Sequence, residues 1–204
     1  MKKKQFLFIL AIFTICFCST LTVTPRASAD ERPNIMFCIA DDWGWPHAGA
    51  YDDPVVKTPA FDRIAKEGLL FEHAFISSPS CTPSRNAILT GQFHWRLGHG
   101  GNLHSILDTK HKTYPHLLAD AGYFVGSWRK SWGPGKADNW NETKHGYPAG
   151  KKYNKMDEFF EAWSKEKDKP FYFWLGASDP HRGYKLNSGR DSGMDLSKIK
   201  LFDH

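Results

Sequence analysis

The apolar residues of this chain fall into three short runs, each followed by polar positions. Residues 34–40 (NIMFCIA), 123–126 (YFVG) and 171–176 (FYFWLG) are nearly continuous instead of alternating, which is typical of strands buried on both faces. The first run leads into residues 41–42 (DD) and the third into residues 178–181 (SDPH). The pattern predicts a parallel sheet whose carboxyl-terminal edge carries ionisable side chains, the edge where such sheets bind ligands.

Helical signals separate these runs. Residues 58–68 open with Thr-Pro and end in glycine, as expected of a capped helix. Residues 113–121 and 156–165 predict two further helices, and residues 86–90 predict a short one after a turn at residues 77–85. The order of strands and helices indicates an α/β fold with helices on both sides of a mostly parallel sheet.

The amino terminus follows a different pattern. Three lysines follow Met1, residues 5–23 are largely apolar, and residues 27–29 read Ala-Ser-Ala. These are the parts of a signal peptide, residues 1–29, cleaved after Ala29. An uncleaved anchor is the alternative, because the run approaches the roughly 18 apolar residues that span a bilayer. Serine and threonine near its end favour cleavage, leaving residues 30–204 secreted or periplasmic, without stable membrane association.

The leader also changes the charge and cysteine counts. Four of the 27 basic residues lie in it, so the processed chain has 23 basic and 22 acidic residues and no electrostatic case for nucleic-acid binding. Of four cysteines, only Cys38 and Cys81 remain, enough for one disulfide in an exported protein. Cys38 lies in an apolar run that predicts a buried free thiol, and Cys81 in a predicted turn, which argues against a bridge.

Two adjacent carboxylates, Asp41 and Asp42, follow the first predicted strand. Like charges in a site with little water are costly unless a cation neutralises them, and a hard divalent ion suits oxygen ligands. The other interpretation of these residues alone is a turn or helix cap ahead of a glycine.

The most specific stretch of the chain is residues 80–85 (SCTPSR). It resembles the Cys-x-Pro-Ser-Arg signature of type I sulfatases, in which a formylglycine-generating enzyme oxidises the cysteine to formylglycine. Three further family segments follow the expected order: Ala-Asp-Asp at 40–42, Thr-Pro-x-x-Asp-x-Ile-Ala at 58–65 and Leu-Thr-Gly at 89–91. The resemblance implies an alkaline-phosphatase-like α/β sandwich.

Within the family, the sequence is most similar to the heparan N-sulfatase (sulfamidase) branch. Gly-Ala-Tyr at 49–51 and Asp-Pro-His-Arg at 179–182 carry this likeness, together with residues 80–85. The likeness runs from about Arg32 to Tyr184, nearly all of the processed chain.

The resemblance assigns roles to particular residues. Asp41, Asp42 and Cys81 would hold one divalent ion, Ca²⁺, and the hydrated formylglycine from Cys81 would attack sulfur and then expel sulfate. Arg85 would hold this hydrate and the carboxylates in register.

Two more site residues follow from the resemblance. Lys130 matches a lysine that faces the sulfate, and His181 matches a histidine that contacts sulfate or protonates the leaving group. Outside the family context, a solvated lysine and a loop histidine are the simpler interpretations of these two residues.

The chain departs from the family pattern in two places. Trp132 occupies the position of a usual histidine and cannot transfer a proton. The family also takes metal ligands from a later Asp-Asn pair, and nothing between Arg182 and His204 supplies one convincingly. We therefore expect an N-terminal part of the catalytic domain, weakly active or inactive alone.

The resemblance implies a hydrolase of sulfuric esters or sulfamates acting on a sulfated glycan. A phosphate or phosphonate hydrolase of the same superfamily is the first alternative, because the same site suits either tetrahedral anion. A non-catalytic glycan-binding protein or a decayed fragment is the second, and it predicts an unmodified Cys81.

Overall fold

Strands and helices alternate along residues 32–166 and 168–198, which are described by a computed structural model. The strands are β1 (Ile35–Asp41), β2 (Ser105–Ile106), β3 (Phe124–Arg129), β4 (Gly135–Lys136), β5 (Lys151–Tyr153) and β6 (Phe171–Pro180). The α-helices are α1 (Pro59–Glu67), α2 (Cys81–Thr90), α3 (Tyr114–Asp120), α4 (Met156–Trp163) and α5 (Ser188–Asp191). Within this described part, no helix is long and apolar enough to cross a membrane. The predicted leader and its cleavage site at Ala29 lie outside the described residues.

Four strands form one parallel sheet in the order β1-β6-β3-β5. Trp174 of β6 lies opposite Phe37 of β1 on one side and Ser127 of β3 on the other, so β6 is flanked by both strands. Strands β2 and β4 form a separate parallel pair. The sequence-based prediction of a parallel sheet is confirmed.

The two faces of β6 pack into two apolar clusters. Tyr172 and Trp174 belong to a cluster that includes Leu89 of α2, whereas Phe173 packs with Phe159 of α4 on the opposite face. The alternation follows from the strand period of two, which sends successive side chains to opposite faces. Helices therefore cover both faces of β6, as the continuous apolar run predicted.

Strand β1 differs from its prediction. It lies at the end of the sheet formed by the described residues, and only its alternate residues reach the apolar core. Met36 is 45% exposed and Cys38 is exposed, so the prediction of a strand buried on both faces, with a buried Cys38 thiol, was wrong. Partial desolvation still raises the pKa of the Cys38 thiol. Both Cys38 and Cys81 are free thiols, in agreement with the expectation of no bridge.

The second correction concerns the segment around Cys81. Helix α2 begins at Cys81, five residues earlier than predicted, with Ser80 extended as its N-cap residue. Pro83 is tolerated there because the first turn of a helix does not need its N–H groups. Gly91 ends the helix in the left-handed conformation, with φ of 63°. The fold thus places Cys81 in the first turn of a helix.

Candidate active site

Four elements bring the predicted site residues together. Strands β1, β6 and β3 are parallel neighbours, so their carboxyl ends, carrying Asp41, His181 and Lys130, lie at one edge of the sheet. Helix α2 begins at the same edge and contributes Cys81 and Arg85. Residues 140 positions apart in sequence become neighbours because parallel strands end at a common edge.

Asp41 is the buried centre of this group. It is 4% exposed, and its Oδ1 lies 3.0 Å from Nη2 of Arg85, while its Oδ2 accepts a hydrogen bond from Nζ of Lys130. Burial alone would raise the pKa of Asp41, but hydrogen bonds and charges from Lys130 and Arg85 outweigh it and lower that pKa. Asp41 is therefore held as a carboxylate between two cations.

Cys81 lies against this ion pair. Its Sγ is 3.3 Å from Nζ of Lys130 and 3.8 Å from Oδ1 of Asp41. As the first residue of α2, it stands at the positive end of the helix dipole, which favours an anion near its side chain. The thiol is half-buried and opens into a cleft of about 340 Å³.

Arg85 also holds the backbone that carries Lys130. Its Nη1 donates a hydrogen bond to the carbonyl oxygen of Lys130, and the Lys130 N–H donates to the carbonyl of Gly176 at 2.9 Å. Arg85 is 2% exposed, so these contacts are shielded from water. One buried side chain thus fixes both Asp41 and Lys130, a role for which the planar, permanently charged guanidinium is suited.

Asp42 faces a different set of partners. Its Oδ2 accepts a hydrogen bond of 2.8 Å from Tyr184 Oη and lies 3.8 Å from Nε2 of His181. The hydrogen bond to Asp42 raises the pKa of Tyr184, which keeps this hydroxyl protonated as a donor. Sequence reasoning did not identify Tyr184, and its only signal was its position three residues after His181.

The donor atoms are suited to a metal ion. Asp41, Cys81 and His181 each have one possible ligand atom within 4.8 Å of those of the other two. No second group of this kind occurs among residues 32–166 and 168–198. Asp42 adds a carboxylate oxygen within 3.8 Å of His181. Carboxylate oxygens are the ligands that hard divalent cations prefer, so the residues present fit such an ion.

Trp132 does not join this group. It is 7% exposed, belongs to the larger apolar cluster, and its indole Nε1 has no hydrogen-bond partner. Next to it, Gly133 packs so closely on Thr82 that an added Cβ would lie 2.5 Å from the Thr82 Cα. The tryptophan therefore fills space behind the amino terminus of α2, where a histidine could have carried a proton.

A protein-family model described as Sulfatase matches residues 33–191. An N-acetylgalactosamine-6-sulfatase from Homo sapiens is 36% identical over 137 residues, covering 59% of this chain and 25% of that protein. An N-acetylglucosamine-6-O-sulfatase from Bacteroides thetaiotaomicron is 29% identical over 200 residues, covering 86% of this chain and 35% of that protein. The chain thus spans about a quarter to a third of the length of these curated relatives.

Solved structures share the fold. A protein solved with its substrate D-glucosamine-2-N,6-O-disulfate superimposes with a TM-score of 0.56 at 25% identity, covering 76% of this chain and 36% of that one. A phosphonate monoester hydrolase of Agrobacterium radiobacter superimposes with a TM-score of 0.54 at 18% identity, covering 74% of this chain and 42% of that one. This likeness shows the fold alone. With the parallel sheet flanked by helices, these likenesses confirm the predicted alkaline-phosphatase-like fold class.

Proposed function

This chain belongs to the sulfatase family, and from that premise we propose that it hydrolyses sulfate groups on a glycan, using formylglycine made from Cys81. The observation that carries the proposal is the position of Cys81: its Sγ lies 3.3 Å from Nζ of Lys130, at the amino terminus of α2 and against buried Asp41. The names of the matched relatives, both glycan sulfatases, support a sulfated glycan as the substrate class.

The residues around Cys81 would bind the substrate's sulfate. Nζ of Lys130 and the first turn of α2 both favour negative charge at this point. Arg85 holds the Asp41 carboxylate and the Lys130 backbone through hydrogen bonds, so these charges need no rearrangement when sulfate binds. Formylglycine, once hydrated, supplies a nucleophilic oxygen for sulfur and a second hydroxyl through which sulfate is released.

Asp41, Asp42 and the residue made from Cys81 would hold a divalent ion, for which we propose Ca²⁺. Such an ion would neutralise sulfate charge and ease deprotonation of the attacking oxygen. Asp41 already holds Lys130 beside Cys81, so its ammonium lies where it could contact a sulfate oxygen.

His181 is the proposed proton donor to the leaving group. Its side chain is 36% exposed on the open side of the site, 3.8 Å from the Asp42 carboxylate, whereas Trp132 is buried and carries no transferable proton. The leaving group would be the alcohol of an O-sulfate or the amine of a sulfamate. The segments at 49–51, 80–85 and 179–182 favour the sulfamidase-like branch.

The test is the mass of the peptide that contains Cys81. The protein is produced with its leader in a host that carries formylglycine-generating enzyme, and its peptides are analysed without alkylation. We expect the thiol of Cys81 to be replaced by an aldehyde or its hydrate. Cys38 is the internal control, because it is more exposed than Cys81 but lacks the Cys-x-Pro-x-Arg context, and it should keep its thiol. An intact Cys81 thiol in that host would contradict the proposal and favour the binding-only alternative.

The same preparation tests two further parts of the proposal. Export predicts that the recovered protein begins at Asp30, which amino-terminal sequencing measures. Turnover of an aryl sulfate should exceed that of the matching aryl phosphate. The reverse order would favour the phosphate or phosphonate alternative.

A further inference from the structure

A single hydrogen bond at the candidate active site joins two residues in unfavourable backbone conformations. Tyr184 Oη donates to Asp42 Oδ2 at 2.8 Å, and the two residues are 142 positions apart in sequence. Asp42 has a φ of 59° and Tyr184 a φ of 51°, both in the left-handed region. Aspartate is found there more often than most residues, but a bulky tyrosine is a rare exception. The chain therefore adopts a costly conformation at both ends of this contact.

The strain at Tyr184 needs a compensating contact. Burial does not provide it, because Tyr184 is 68% exposed. Besides the bond to Asp42, its ring lies edge-on to the ring of His181, with centroids 5.5 Å apart. Residues held in rare conformations are concentrated at functional sites, where surrounding contacts keep them in place. Both of these contacts are made to residues of the candidate active site.

Asp41 and Asp42 are held in place by different kinds of donor. Asp41 is buried and paired with two cations, Arg85 and Lys130. The side chain of Asp42 is 41% exposed, and it borders the same cleft as Cys81. Its hydrogen-bond donor is a phenol, which carries no charge at neutral pH, so the bond fixes the direction of the carboxylate without cancelling its charge. Because the bond is made to Oδ2, it does not occupy Oδ1.

A fixed direction matters for an exposed carboxylate that is to bind a cation. A mobile side chain loses rotational freedom when it coordinates an ion, and this loss opposes binding. Hydrogen bonds from outside the ligand shell orient the ligands in advance, and removing them weakens metal binding by roughly 10- to 100-fold. Asp42 is the more exposed of the two carboxylates, so it gains more from such a bond.

We propose that Tyr184 is a positioning residue that orients the Asp42 carboxylate toward a divalent cation in the cleft beside Cys81. The inference rests on the proposed function for the presence of the ion, and it adds a residue that this function does not otherwise use. The Tyr184 hydroxyl acts through Asp42 and not by contacting the ion or the substrate. It should therefore contribute to metal affinity but little to the stability of the metal-free protein.

The experiment measures Ca²⁺ affinity by calorimetry for the parent chain and for Tyr184→Phe. Both proteins are produced with their leader in the host that carries formylglycine-generating enzyme, and the mass of the Cys81 peptide is measured in each. Phenylalanine removes only the hydroxyl and keeps the ring against His181. We expect the Kd for Ca²⁺ to rise about tenfold in Tyr184→Phe, the lower end of the effect of such outer hydrogen bonds.

Tyr51→Phe is the matched control. The Tyr51 hydroxyl also donates to an oxygen, the carbonyl of Phe71 at 3.0 Å, but Tyr51 does not line the Cys81 cleft. Its loss should leave the Ca²⁺ affinity unchanged. Urea unfolding without Ca²⁺ separates positioning from stability. The midpoint of Tyr184→Phe should stay close to that of the parent, because substitutions at exposed positions change stability little.

The outcomes separate this inference from the proposed function. Equal Ca²⁺ affinity of Tyr184→Phe and the parent would overturn the positioning role while leaving the ion in place. A weaker affinity accompanied by a lowered urea midpoint of the metal-free variant would overturn it as well, because the hydroxyl would then act on the fold. A parent chain that binds no Ca²⁺ would refute the ion of the proposed function, and the inference with it.

Discussion

At the scale of single residues, the site depends on how buried charges are paired. Asp41 is almost fully buried, and an unpaired carboxylate at that depth would be strongly unfavourable. Arg85 and Lys130 provide the compensating charges, and Arg85 is itself buried. Because Arg85 is covered by protein and Lys130 is partly open to the cleft, the first serves to position groups and the second can reach a substrate.

Arg129 offers a test of backbone strain. At φ of 60°, glycine avoids the steric conflict that any Cβ introduces, so Arg129→Gly should be more stable to unfolding than Arg129→Ala by about 1 kcal/mol. Both variants lose the same guanidinium, so the difference between their free energies of unfolding reports the cost of the backbone conformation alone. Urea unfolding measures this difference. If the two variants have equal midpoints at equal slope, the left-handed conformation at this position is not a source of strain.

At the scale of elements, the end of β3 is held against β6 by close backbone contact. Strand β6 passes so near Lys130 that there is no room for a side chain at Gly176. A Cβ at Gly176 would lie 3.0 Å from the Lys130 Cα and nearer still to its carbonyl group. The position of Lys130 in the site is thus set by a neighbouring strand as well as by Arg85.

Gly176→Ala should therefore disturb both stability and the site. We expect a loss of about 2 kcal/mol in the free energy of unfolding, because the clash is with backbone that cannot rotate away. Turnover of an aryl sulfate should fall with it, since Lys130 shifts. Gly183→Ala is the control, because no atom lies within 4 Å of its added Cβ. Equal stability of the two variants would mean that β3 and β6 can separate at little cost.

At the scale of the whole molecule, side chains from segments distant in sequence pack around His116. His116 of α3 packs edge-on against Trp140, and its Nε2 lies 3.0 Å from the carbonyl oxygen of Tyr147, to which the neutral ring can donate. His145 and Asp120 lie beside it and bond to each other at 2.9 Å. Burial is the largest influence on His116 and lowers its pKa below 6.5.

This lowered pKa gives the molecule a pH-dependent stability. Below about pH 6.5 the unfolded chain protonates His116 while the folded protein resists it, so stability is complete above that pH and decreases as pH falls. Melting temperatures from about pH 7.5 to about pH 5.5 should decrease less in His116→Gln than in the parent. His73→Gln, at an exposed histidine, should follow the parent. Parallel curves for His116→Gln and the parent would contradict a half-buried, neutral His116.

Much of the fold follows from the sequence. The run at residues 171–176 specifies a strand buried on both faces, because only such a strand has no polar side to turn to water. The Thr-Pro start and glycine end give α1 within one residue at each end. The strands' shared direction could also be predicted, and with it the edge where Asp41, Lys130 and His181 meet. Local residue preference and periodicity are sufficient for these features.

The tertiary structure decided the remainder. Cys38 lies in an apolar run but is exposed, because exposure depends on which strand ends the sheet. The start of α2 at Cys81 depends on the packing of Gly133 on Thr82 and on the bonds from Arg85 to Asp41 and Lys130, which local signals do not encode. The pairing of Asp42 with Tyr184 arises only when segments distant in sequence meet. Sequence patterns specify which residues can carry charge, whereas the contacts between elements determine which of those charges are buried, paired or left open.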